Sequence, residues 1–175
     1  VAAHEHHETC EQCGFDGSSY SDEELLVALD SLEAPWRELL APSDEHLRER
    51  PAPEVWSALE YAAHSRDVTA LHVFGVREAL TGNEPHFAEI AGDELIAEAA
   101  QSYDSEEVSQ VLDELARELH ALSEVARESG PLNWHYALSI GAERITVRRL
   151  LEHALHDSSH HLDDVERGLG QLRTL

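Results

Sequence analysis

Apolar residues recur along this chain at three- and four-residue intervals, and that spacing predicts amphipathic helices. In "SSYSDEELLVALDSLEAPWRELLA", Leu25, Leu29 and Leu32 share one side, and Ser21 and Glu24 stand at capping-box spacing. Pro35 is expected to kink this helix or end its first part. A second helix, "PEVWSALEYAAHSRDVTALHVFGVREAL", opens at Pro53 and stops near Gly82. A loop containing "TGNEPHF" follows, then a candidate short helix, "GDELIAEAAQ". The third long helix is "SEEVSQVLDELARELHALSEVARES", with Ser105 as its cap and Gly130-Pro131 as its stop. After "LNWHYALSIGAE" the fourth, "RITVRRLLEHALHDSSHHLDDVERGLG", fades at Gly168 and Gly170. No segment alternates well enough to predict a strand, and there is no internal repeat. The pattern predicts an all-α four-helix bundle with one long connection. Residues 1–20 read as an N-terminal CxxC extension and residues 21–175 as the bundle.

Composition narrows the class. At 175 residues with 42% hydrophobic content, the chain is long enough for one domain with a real core. No apolar run approaches a membrane span, and the polar start "VAAHEHHETC" lacks a signal-peptide layout, so a cytoplasmic protein is expected. The balance of 36 acidic against 12 basic residues gives −24, and every basic residue is Arg. Such a field repels phosphate backbones and anionic lipids, which argues against nucleic acid and membrane as partners.

The last helix carries the chemistry. "EHALHDSSHHLDD" holds four histidines and four acidic residues in thirteen positions. On a wheel, Val147, Leu150, Leu151, Ala154, Val165 and Leu169 gather on the core side. His161 falls within that arc and Asp157 at its edge, an i,i+4 pair able to reach one point. Burying such a pair requires compensation, either a hydrogen bond between the two or a divalent metal. His156 and His160 form a second i,i+4 pair turned roughly 100° away. On the second helix, His64 lies eight residues after Trp56 and supplies a third ligand for the inward pair. Three protein ligands leave positions for water or substrate, as catalytic sites require.

"RPAPEVWSALEYAAHSRDV" and "GAERITVRRLLEHALHDSSHHLDDVERGL" resemble the DinB/YfiT-like superfamily of metal-binding four-helix bundles, from about Ser21 to the end. That superfamily includes mycothiol- and bacillithiol-dependent transferases and maleylpyruvate isomerases. The resemblance implies that His64 is the first ligand, through its spacing from Trp56. It implies that the other two are a His or Glu and a His four residues later. Asp157 with His161 fits that register, as the wheel also favours, and His156 with His160 is the alternative. Asp157 departs from the family's longer Glu or His.

"HETCEQCGFDG" places Cys10 and Cys13 in a C-x2-C followed by Gly14, the shape of a zinc knuckle but only half a site. Joined with His156 and His160 it makes a closed Cys₂His₂ structural set, stapling the N-terminal segment to the last helix. His4, His6 and His7 are rival partners, and a redox pair or bystander cysteines are the other readings. His153 reads as a helix-surface residue, His135 as a loop residue able to line a pocket mouth, and Arg66 and Asp67 as either support for His64 or a surface salt bridge.

The resemblance implies a divalent-metal-dependent transferase using a low-molecular-weight thiol on a small electrophile. Zinc is the expected ion, with nickel, manganese or iron as other occupants of a His₂-carboxylate site. A non-catalytic metal-binding stress or interaction protein and a metal-dependent hydrolase are the alternatives. The partner is then a small-molecule substrate, and the resemblance adds the expectation of a homodimer.

Overall fold

The computed structural model describes residues 6–41, 45–88 and 92–174. His4 lies outside the described residues.

Two capping boxes start helices where side-chain oxygens take up the first free N–H groups. Ser21 and Glu24 cap α1 (Asp22–Asp30), and Ser57 and Glu60 cap α3 (Ala58–Leu80). The start of α3 therefore lies five residues after the expected Pro53, because a turn paired through Ala52 and Val55 occupies that stretch. The first predicted helix is broken before Pro35 rather than at it. It ends at Ser31, and α2 (Glu33–Leu39) takes Pro35 into its first turn, where a missing N–H removes no helix bond. Leu25, Leu29 and Leu32 are buried as their spacing requires.

Past the loop, α4 (Gly92–Tyr103) packs on α3. The third long helix, α5 (Val108–Ser129), is preceded by Glu107 without a side-chain cap, not capped by Ser105. Arg48 binds the carbonyls of Asp104 and Glu106 in that stretch, pinning the turn and bend that precede Glu107. Gly130 ends α5 at φ +66, a conformation that favours glycine.

The structure adds a small sheet that the pattern did not predict. Strands β1 (His86–Phe87), β2 (Ala137–Ile140) and β3 (Glu143–Thr146) lie in that order, β1 parallel to β2 and β2 antiparallel to β3. Gly141 at φ +56 opens the two-residue turn between β2 and β3. The segment did not read as strand because Ala137 and Leu138 are both buried, which breaks the alternation.

The sheet delivers the chain into α6 (Val147–Leu172), whose first N–H groups are received by Thr146 and by the carbonyls of Trp134 and Tyr136. This helix begins at Val147 rather than Arg144 and runs through Gly168 and Gly170. Gly168 marks a close approach, not an end: a Cβ there would stand 3.2 Å from Pro51. All six residues of the expected core arc are buried. The bundle is α1 with α2, then α3, α5 and α6, with α3 packed on both α5 and α6. Inside it, the Trp36 indole donates to Ser158 Oγ at 2.9 Å, fixing the rotation of α6.

Candidate metal centres

That rotation brings two groups of metal-ligand side chains onto neighbouring faces of one helix. His64, Asp157 and His161 meet where α3 crosses α6, each offering a donor atom within 4.8 Å of the others. His64 is buried and the other two are partly covered. The His64 and His161 rings stand 5.0 Å apart. Trp56 lies 5.1 Å from the His64 ring and Tyr61 5.1 Å from the His161 ring, so aromatic groups wall this corner.

Without an ion, two of the three groups favour their ligating forms, while the charge of Asp157 favours a proton on His161 that a cation would have to displace. Burial holds the His64 pKa below its ordinary value against the pull of Asp157, keeping the imidazole neutral. Burial also lowers His161, but its hydrogen bond and charge contact with Asp157, 3.4 Å from Nε2, outweigh that and raise it. Asp157 shows the converse: burial pushes its pKa up, and His161 pulls it down further. Nδ1 of His64 is buried without a hydrogen-bond partner, and Nδ1 of His161 faces the Asp164 carboxylate at 3.6 Å. An orphaned nitrogen like that of His64 is rare inside proteins.

The second group is Cys10, Cys13, His156 and His160, whose four donor atoms also lie within 4.8 Å of one another. The two thiols are free. They sit in a tight hairpin. The Cys10 N–H donates to the Phe15 carbonyl and the Gly14 N–H to the Cys10 carbonyl, both at 2.9 Å, with Gly14 at φ +76. Amide contacts from Cys13 lead the causes that lower the Cys10 thiol pKa, while burial and the neighbouring Cys10 raise that of Cys13. Phe15 stacks on the His156 ring at 5.0 Å.

An overlapping trio of Glu8, His153 and His156 also clusters within 4.8 Å. Glu8 was not singled out in the sequence, although it stands two residues before Cys10. Its Oε1 meets His156 Nδ1 at 2.9 Å, and its Oε2 pairs with Arg149 at 2.6 Å. A carboxylate already balanced by a guanidinium is a poorer cation ligand than the free nitrogen across the ring. That nitrogen, His156 Nε2, is buried and unpartnered. The rival histidines are accounted for differently: His7 Nδ1 bonds Glu152 at 2.8 Å, and His6 is exposed.

Other candidates fall outside both groups. Arg66 pairs with Asp67, Glu106 and Glu114, and Asp67 receives the Tyr103 hydroxyl, a network tying α3 to α4 and α5. Neither residue bonds His64. His135 lines a cavity of about 320 Å³ with His7, Asp22, Trp134 and Arg148, away from the His64 corner. His153 is half exposed as expected. His72, one face of α3 below His64, lies 5.2 Å from the His153 ring and was missed because its spacing matched no ligand pattern.

The sequence profile of the DinB superfamily matches residues 23–165. YfiT from Bacillus subtilis, described as a probable metal-dependent hydrolase with an unusual four-helix bundle topology, is 13% identical and superposes with a TM-score of 0.75, over 96% of this chain and 93% of that one. The mycothiol-dependent maleylpyruvate isomerase is 15% identical, with a TM-score of 0.65 over 85% of this chain and 62% of its own. At such identities the likeness speaks for the fold. No curated protein matches the sequence.

Proposed function

The chain belongs to the DinB superfamily, and from that premise we propose that His64, Asp157 and His161 hold a divalent metal for catalysis on a small-molecule substrate. One observation carries the reading: three donor groups from two helices converge within 4.8 Å, with Nδ1 of His64 buried and without a hydrogen-bond partner. Three ligands hold an ion without enclosing it. A neutral His64, a Trp56 and Tyr61 wall that limits water, and Asp157 aligned by His161 prepare the corner for a cation. Zinc is the first choice, and nickel, manganese or iron suit the same donors.

The chemistry supplied by such an ion, when bound, is a lowered pKa for a thiol or water in the remaining position. We assign the thiol: a low-molecular-weight thiol of the mycothiol or bacillithiol type gives up its proton to solvent, and its sulfur bonds to a small electrophile by addition or by displacing a leaving group. The likeness to the mycothiol-dependent isomerase supports this choice. The fuller superposition on YfiT, over 96% of the chain, supports a second reading as a metal-dependent hydrolase.

The two separate in one assay. Metal-loaded protein is offered small electrophiles with and without mycothiol or bacillithiol, and esters or amides without thiol. Thiol-dependent turnover that disappears in His64→Ala is the expected result. Ester or amide cleavage without thiol, lost in the same variant, would replace transfer by hydrolysis. Absence of either activity in loaded protein would leave a non-catalytic metal-binding protein.

A further inference from the structure

We infer that Cys10, Cys13, His156 and His160 form a second, closed zinc site that staples the N-terminal hairpin to α6, with Glu8 positioning His156. This inference stands independently of the open site and of any catalytic activity.

The argument starts from the hairpin. A C-x2-C-G turn works as a zinc knuckle when its amides point at the sulfurs and its glycine takes the left-handed conformation. Both conditions are met. Backbone amides of Cys13 and Gln12 face the Cys10 sulfur, and Gly14 has φ +76. Antiparallel pairing of Thr9 with Asp16, and the Gly17 N–H bond to the Glu8 carbonyl at 2.7 Å, close the base of the hairpin. The backbone thus gives the hairpin the shape of a knuckle.

The helix side is built as well. His156 and His160 are one turn apart on α6, and their rings stand 5.7 Å apart. His156 has its Nδ1 on Glu8 and its Nε2 buried without a partner; His160 has its Nδ1 buried without a partner. A carboxylate on one ring nitrogen with the other left for metal is the usual arrangement of a zinc histidine. Two thiolates and two imidazoles make a tetrahedral set with no vacant position, hence a structural rather than catalytic one. In a loaded site of this kind two thiolates stand roughly 3.8 Å apart, given Zn–S bonds of about 2.3 Å. Donor atoms gathered within 4.8 Å need only a small contraction.

The staple adds to contacts that dock the segment by themselves. The Glu8 N–H donates to the fully buried Glu152 at 2.9 Å, and Arg148 reaches the carbonyls of Gly17 and Tyr20. Zinc loss should accordingly loosen the hairpin without unfolding the bundle.

Cobalt(II) titrated into zinc-free full-length protein tests the ligand set. The expected spectrum has an intense sulfur-to-cobalt charge-transfer band and the visible bands of a tetrahedral ion. Both persist in His64→Ala, the sulfur band vanishes in Cys10→Ser/Cys13→Ser, and it changes to a weaker, altered form in His156→Ala and His160→Ala. X-ray absorption at the zinc edge of His64→Ala, holding one zinc per chain, should give two sulfurs at about 2.3 Å and two nitrogens at about 2.0 Å. A second measurement needs no variant. Labelling of the wild-type thiols should be slow with zinc and fast after chelation, while the far-ultraviolet circular dichroism of the bundle persists. No cysteine-dependent ion, equal labelling rates with and without chelator, or a sulfur band indifferent to both histidine substitutions would each overturn the site.

Discussion

Gly17 shows how one residue lets the N-terminal segment lie against the bundle. A Cβ at that position would stand 2.3 Å from the Glu152 carboxylate, which is buried and already holds Arg148, His7 and the Glu8 amide. The carboxylate has nowhere to move. Gly17→Ala should cost about 1–3 kcal/mol, as overpacking does, and should speed labelling of Cys10 and Cys13 by undocking the hairpin. Unchanged stability in denaturant titration would contradict this close approach. His72 illustrates a different constraint. It is buried, and burial, with the nearby His153 charge second, lowers its pKa from 6.5 to about 4. As pH falls, the unfolded chain takes up this proton first. The contribution of a neutral His72 is therefore complete above pH 6.5 and is lost as pH falls through 4. The loss is on the order of 3 kcal/mol, at 1.36 kcal/mol per unit. Unfolding titrations with chelator present should show wild type losing stability relative to His72→Gln between pH 6.5 and 4.5. Parallel curves for the two proteins would refute it.

Among the elements, α6 carries most of the account. Its apolar residues set which side faces the core, and that alone placed Asp157 and His161 beside His64 and turned His156 and His160 towards the N-terminal hairpin. These placements were legible because helical periodicity converts spacing into direction. The small sheet was not legible, since four-residue strands carry too few positions to establish alternation. Nor was Glu8, whose role depends on a contact 148 residues away in the chain. Gly168 misled because a helical glycine signals an end or a close approach with the same letter. Interleaving of the ligands along α6 also has an energetic consequence. His156 precedes Asp157 and His160 precedes His161, so fixing one pair restricts the rotation available to the other. Cys10→Ser/Cys13→Ser should therefore weaken metal binding at the open site several-fold, measured by competition titration with a chromophoric chelator. An affinity equal to that of wild type would show that the sites act separately.

For the whole molecule, a charge of −24 concentrates divalent cations near the surface. No helix among the described residues is long and apolar enough to cross a membrane. Much of the positive charge is committed to ion pairs, including Arg66 with Glu106 and Glu114, Arg148 with Asp22 and Glu152, and Arg149 with Glu8. Exposed carboxylates can hold ions loosely, but moderate salt screens that attraction while leaving chelated ions in place. Metal content after gel filtration in moderate salt, compared between wild type and His64→Ala, is thus the most direct measurement of the open site. The account predicts two ions per chain in wild type and one in the variant, with the cysteine-dependent zinc retained. Equal metal content in the two proteins would contradict the assignment of His64, Asp157 and His161 as a metal centre.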